Sequence, residues 1–316
     1  MRFVCFSMIL AAGMAAQDSG VYRPTEVDFN GHRVSAGPEI VTSGSKNESE
    51  TSEIVQSING RKVPLEKIED RVVRDDSAGK VTERIVHRYD LTGNPLPVEK
   101  LVIEETKGSN GSSTIQTTKY AGDLNGQMQV KERSTTQIQD SSTSKTSETL
   151  VERPSLNGAF EAVEKTQTTV AKQPNGYEEA SLTYRRDPSG NLYPAVRRVT
   201  DHTQSGNQSS DNVAEYEVGA TGELELHSQK VVNTHRGSNG SEEVDVDVFG
   251  KNVPGVANPD GNMQLIEHQT IERRKTSSGS TVQTVDVQRP TINDPTKLGP
   301  PKQLSETICQ GSCDKP

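Results

Sequence analysis

Glycine recurs in this chain at a nearly fixed interval, and that repetition constrains the fold more than any other feature. Gly31, Gly60, Gly93, Gly126, Gly158, Gly190, Gly222 and Gly261 follow one another at 29, 33, 33, 32, 32, 32 and 39 residues. The long last interval contains a Pro- and Gly-bearing stretch, residues 251–257, and without those seven residues it too is 32. Most of these glycines close turn-like sequences, such as Leu124-Asn125-Gly126, Leu156-Asn157-Gly158 and Pro188-Ser189-Gly190-Asn191. Such sequences supply the positive φ that tight hairpin turns require.

A second turn signal recurs about 18 residues after each glycine, at Asn110-Gly111, Asn175-Gly176, Asn239-Gly240 and Ser278-Gly279, with polar equivalents around Ser144 and Gln208. Between the turns, β-branched and polar residues alternate, as in Val244-Asp245-Val246-Asp247-Val248. Period two without any sustained helical period predicts strands. The fold class expected is therefore all-β: eight tandem hairpins of about 32 residues, about sixteen strands, in one long antiparallel meander sheet, open or curled.

Hydrophobic residues make up 30% of the chain, aromatics 4%, and tryptophan is absent. A composition so poor in apolar residues cannot fill one large core, so burial must be spread thinly along the repeat. Apolar residues gather beside the glycine turns (Tyr89, Tyr120, Tyr184, Tyr216, Phe249; Leu65, Leu96, Leu226, Leu265), whereas the other turns are almost wholly polar. Pro64, Pro97 and Pro194 follow their turn glycines by four residues, a place for a bulge or an edge position but not for a fully paired one.

Residues 1–16 read as a secretory signal: Arg2, an apolar run from Phe3 to Ala12, then Gly13, Ala15 and Ala16 before polar Gln17. The domains expected are this signal, a repeat domain over 17–292 and a C-terminal tail over 293–316. No later segment approaches the length of a transmembrane helix. Loss of Arg2 moves the net charge from −9 to −10. Such a chain should be repelled by phosphate backbones and anionic lipid, so no nucleic-acid partner is expected.

Cys309 and Cys313 remain after signal removal, and an even pair in an exported chain predicts a disulfide closing the small loop between them. The alternative is two free thiols in a frayed tail. Glu243, Asp245 and Asp247 alternate and so share one strand face, where a hard cation could find oxygen ligands. They lack the glycine-turn loop such sites use and read as a solvated acidic face. The six histidines show no ligand spacing, and no nucleophile elbow, phosphate-cradling loop or zinc pair is present. No catalytic, metal or cofactor residue is therefore assigned, and no cofactor is expected.

The units Arg88-Tyr89-Asp90-Leu91-Thr92-Gly93-Asn94 and Tyr184-Arg185-Arg186-Asp187-Pro188-Ser189-Gly190-Asn191-Leu192 resemble the tyrosine–aspartate (YD, or Rhs-type) repeats of bacterial secreted and surface proteins. The resemblance covers two units well and others in part, and the unit here is longer. It implies β-hairpin repeats in an envelope protein. The function expected is a non-enzymatic exported repeat protein, a structural or binding module that meets another envelope or surface component in the periplasm, at the cell surface or outside the cell. The alternatives are an outer-membrane barrel, which needs a lipid-facing apolar band that these strand centres lack, and a secreted hydrolase.

Overall fold

The computed structural model describes residues 20–27, 33–35, 39–45, 49–58, 61–90, 92–123, 126–251, 261–277, 279–291 and 297–311. Nineteen strands run in chain order: β1 (Gly20–Val27), β2 (Arg33–Ser35), β3 (Glu39–Ser45), β4 (Ser49–Ile58), β5 (Arg61–Asp76), β6 (Gly79–Arg88), β7 (Glu99–Lys107), β8 (Ser112–Gly122), β9 (Met128–Asp140), β10 (Ser144–Pro154), β11 (Phe160–Gln173), β12 (Gly176–Arg186), β13 (Leu192–Ser205), β14 (Gln208–Val218), β15 (Leu224–Arg236), β16 (Glu242–Gly250), β17 (Gln264–Lys275), β18 (Thr281–Gln288) and β19 (Lys302–Gly311). From β3 onward each strand pairs antiparallel with the next, and all nineteen belong to one sheet. The expected all-β hairpin meander is the observed architecture. Residues 302–311, read as part of a tail, form β19, which pairs with β18, and the nineteen strands exceed the sixteen or so expected.

The pairing also returns on itself. β1 meets β19 along one edge, from Gly20↔Gly311 to Thr25↔Glu306. Its other edge takes β2 at residues 25–27 and β3 at residues 20–22. Strand pairing is therefore circular, with β1 as the closing seam. Pro24, which has no amide proton to give, falls between the β2 and β3 registers on this edge, and on the other edge it is the register partner of Thr307.

One irregularity recurs in most units. Five residues after a turn glycine the outgoing strand carries an extra residue: Leu65, Lys131, Val163, Ala195, His227 and Ile266 each sit in a register shift. Pro64 and Pro194 stand immediately before two of these bulges. Bulges sharpen local twist and gather at barrel rims. In register terms, Lys165 faces Tyr184, Tyr184 faces Pro194, and Arg197, the repeat equivalent of Lys165, lies two paired positions further along. A stagger of two residues per hairpin, about 6.8 Å along for about 9.6 Å across, corresponds to a strand tilt of about 35°. That lies at the lower end of the range for closed sheets, and it places repeat-equivalent residues on circles around the ring.

No side chain among the described residues is wholly buried, and the buried apolar ones are Val86, Ala195, Val246, Val282 and Val287. The sheet is a single layer. Its two faces nevertheless differ: the row Ile115, Thr136, Thr149, Thr166, Thr183 is half-buried, whereas Gln116, Gln137, Glu148 and Gln167 on the other face are exposed. With no second layer present, this difference reflects curvature, so the first is the concave, covered face and the second the open face.

Candidate functional site: two rims and an open face

Three-residue glycine loops occur at both ends of the sheet, around Gly240 and Gly279 at the polar end and in a longer series at the other. At the glycine end the amide of Asp90 donates to Asn94 O at 2.9 Å and that of Gly93 to Asp90 O at 2.9 Å. The same pair of bonds recurs around Gly126, Gly158, Gly190 and Gly222. Each is a three-residue hairpin loop whose last residue has positive φ, as found at Gly93, Gly126, Gly158, Gly190, Gly222 and Gly261. Gly31 and Gly60 lie outside the described residues.

The Asp90 carboxylate braces its turn, accepting from the Thr92 amide (2.8 Å), the Thr92 hydroxyl (2.6 Å), the Asn94 amide (2.9 Å) and Asn94 Nδ2 (3.1 Å). These donors, the Thr92 hydroxyl foremost, hold its carboxyl far below the ordinary carboxylate range. Asp123 and Asp187 accept from the Gln127 and Asn191 amides at 2.9 Å in the same way.

The glycine rim also carries exposed apolar side chains. Leu156 stands fully exposed at a turn tip, and Leu96, Met128, Tyr193 and Val218 are exposed beside neighbouring turns. Exposed Leu304 is the extra residue of the β19 bulge at the same end, which leaves Val73 as the exception among the described residues. The apolar clustering expected beside the glycine turns is present, but it is half-buried or exposed and forms no core.

Further along the strands, on the open face, the side chain seven residues after the turn glycine is basic at Lys67, Lys100, Arg133, Lys165 and Arg197, and the equivalent positions in the next two units are Gln229 and His268. The adjoining strand sets an aromatic residue opposite several of them, in the pairs Lys100↔Tyr120, Lys165↔Tyr184, Arg197↔Tyr216 and Gln229↔Phe249. The Arg197 guanidinium lies 5.6 Å from the centre of the Tyr216 ring, and that of Arg133 lies 4.1 Å from the centre of Phe160. The lysines of this belt carry carboxylate partners, Lys67 with Glu69 at 2.6 Å, Lys100 with Glu83 at 2.7 Å and Lys165 with Glu148 at 2.9 Å. Lys67 lowers the Glu69 pKa, first through its hydrogen bond. Arg133 and Arg197 are exposed and are held over rings instead. The sequence reading noticed the aromatic residues but missed this basic series, which only alignment on the turn glycines brings out.

The predicted acidic face is partly tied down. Thr270 donates to Asp245 at 3.1 Å, and His268 Nδ1 stands 2.7 Å from Asp247 Oδ1. On the covered face His202 Nδ1 lies 2.6 Å from Asp211, with Tyr177 stacked on its ring at 4.8 Å. Among the described residues no three His, Cys, Asp or Glu side chains are placed to hold a metal. Cys313 lies outside the described residues and the Cys309 side chain is not described, so the expected disulfide stays an expectation. No helix among the described residues is long and apolar enough to cross a membrane.

No protein-family model and no curated protein matches the chain. Among solved structures, a triple mutant of the Rh. blastica porin is similar at TM-score 0.50 and 6% identity, over 94% of this chain and 98% of that one. A porin-like protein from Bacteroides uniformis matches at TM-score 0.25 and 9% identity, over 93% and 98%. A protein of unknown function from Bacteroides fragilis matches at 0.20 and 12%, over 58% and 92%. At these identities the porin likeness is one of fold: a large antiparallel sheet of hairpins.

Proposed function

We propose that this is a non-enzymatic exported repeat protein, a structural or binding module of a bacterial-type cell envelope that works through its rims and faces. The observation that carries this reading is charge at the strand centres on both faces of a single-layered sheet. Glu179, Arg198 and Glu215 lie on the covered face, and Glu148, Lys165 and Arg197 on the open one. A cationic side chain facing lipid at the bilayer midplane costs about 2–4 kcal/mol, so neither face suits a hydrocarbon core. Both suit water. The reading also fits the secretory signal expected over residues 1–16 and the resemblance to surface-protein repeats.

A second reading, an outer-membrane barrel, is favoured by the circular pairing and by the porin-like fold. Cell fractionation separates the two. The proposed module should leave the cytoplasm and be released from the envelope by salt or alkaline carbonate. An integral barrel would need detergent and would migrate differently on gels before and after heating. Retention in the cytoplasm would refute both.

A further inference from the structure

We infer that the polar rim is a site of N-linked glycosylation, with oligosaccharide carried at Asn110, Asn207 and Asn239; this goes beyond the envelope reading and rests only on its export. Asn followed two residues later by Ser or Thr is the acceptor sequence for that modification and marks surface loops of exported chains. It stands at Asn110-Gly111-Ser112, Asn207-Gln208-Ser209 and Asn239-Gly240-Ser241, where β7 turns into β8, β13 into β14 and β15 into β16. A fourth, Asn47-Glu48-Ser49, has its asparagine outside the described residues, in the segment joining β3 to β4. By chain order all four fall at the polar rim. At the other rim Asn94, Asn125, Asn157 and Asn191 also stand beside turn glycines, yet Leu96, Gln127, Ala159 and Tyr193 occupy the position where the hydroxyl is needed.

The side chains differ in the same sense. Asn110, Asn207 and Asn239 are exposed. Asn239 Oδ1 accepts from the Ser241 amide at 3.0 Å, a bond within the acceptor sequence that leaves Nδ2, the atom that takes the sugar, on the other side of the group. At the glycine rim Asn94 Nδ2 is committed to its own turn, donating to Thr92 Oγ1 at 2.7 Å and to Asp90 Oδ2 at 3.1 Å. A Cβ built on Gly206 or Gly240, the neighbours of Asn207 and Asn239, meets nothing within 4 Å. Transfer takes place on the chain as it enters the export compartment, before its hairpins close, so the folded rim has only to leave the product room.

The donor class required is a lipid-linked oligosaccharide diphosphate. Nδ2 forms a bond to C1 of the sugar and the bond from C1 to the diphosphate oxygen breaks. The diphosphate leaves with the electron pair, and a base of the transferring enzyme takes one amide proton. The product is bulky and hydrophilic. It turns this rim to water and leaves the glycine-turn rim, where Leu96, Met128 and Leu156 are exposed, as the side open to contacts.

Secretion of the full chain from a host that performs N-linked transfer tests this. Protein from the medium should run above its polypeptide mass and collapse to it on treatment with peptide N-glycanase. In heavy-oxygen water the same digestion should label residues 110, 207 and 239 as aspartate in peptide maps, and leave Asn125 and Asn157 unlabelled. Asn110→Gln, Asn207→Gln and Asn239→Gln should each remove one step of the shift. Ser241→Ala should match Asn239→Gln, whereas Ser241→Thr should keep the step.

A band unmoved by the glycanase, label at the glycine-rim asparagines, or a step that does not follow Ser241 would overturn the inference. Fusing a strong secretory signal to residues 17–316 separates this from a failure of export. A chain that enters on the foreign signal and stays unmodified refutes glycosylation. A chain modified with the foreign signal but retained with its own lacks the export on which the inference rests, and overturns it from that side.

Discussion

The amide of Gln204 donates to the carbonyl of Asn175 at 2.7 Å, joining a strand to the turn of the preceding hairpin 29 residues back. The same bond links Lys107 to Ala78, Asp140 to Gly111, Lys172 to Thr143 and Arg236 to Asn207, always at a separation of 29. Five successive turns of the polar rim, from Ala78 to Asn207, are therefore each held by the end of the strand that enters the next turn of that rim, forming a ladder over that part of it. This explains why glycine is needed there. A Cβ built on Gly176 would lie 1.9 Å from His202 O, whereas one on Gly240 meets nothing within 4 Å. Gly176 has ordinary φ, so its requirement is for space alone; Gly240 has positive φ, so its requirement is conformational.

Gly176→Ala should accordingly push β12 and β13 apart and destabilise by more than about 2 kcal/mol, against about 1 kcal/mol for Gly240→Ala. Urea unfolding midpoints of the two variants decide this, and equal losses would count against the ladder as the cause.

The Asp90 turn has a defined pH response. A carboxyl whose folded-state pKa is depressed contributes stability that is complete above its unfolded value, about 3.9. That contribution is lost as pH falls through the folded-state value. The turn should hold its shape through about pH 4 and loosen only in stronger acid. Asp90→Asn should speed amide exchange at Gly93 and Asn94 at about pH 5, where the parent remains protected. Unchanged exchange would show that the carboxylate does not brace the turn.

Arg84 grips Asp70 through two bonds of 2.7 Å, both side chains being about three-quarters covered on the concave face. The Arg84 pKa is raised chiefly by its hydrogen bond to Asp70. Arg84→Met keeps much of the stem's packing but leaves Asp70 without this partner, so a loss of about 1–2 kcal/mol is expected. Asp70→Asn/Arg84→Met should recover part of it. A double-mutant cycle measures the difference, and strict additivity would deny the pair any coupling.

Closure can be tested at the seam. Tyr22 and Cys309 are register partners between β1 and β19, so Tyr22→Cys in a Cys313→Ser background should form an intramolecular disulfide under mild oxidation. Peptide mapping under non-reducing conditions would show residue 22 joined to residue 309 within a monomer. Free thiols or disulfide-linked dimers would mean that the seam does not close within one chain.

The repeat, its antiparallel order and both series of turns were legible because they depend on local chemistry. Glycine supplies positive φ at Gly126 or Gly158 wherever the surrounding chain lies, and period-two alternation such as that from Val244 to Val248 fixes a strand by itself. The apolar clustering beside the glycine turns was equally visible, since a list of residues suffices to show it. Which face each residue takes was not. Every bulge, as at Ala195, flips the alternation downstream, so faces follow only from cross-strand register. The opposition of Arg197 to Tyr216, the bond from Gln204 to Asn175 and the meeting of β1 with β19 across nearly the whole chain are all non-local. Hydrogen bonding between distant strands decides them, and no short-range propensity encodes it. Sequence thus determined the hairpin and its period. Tertiary structure alone decided that the hairpins stagger, close on themselves and bring basic and aromatic residues to one level.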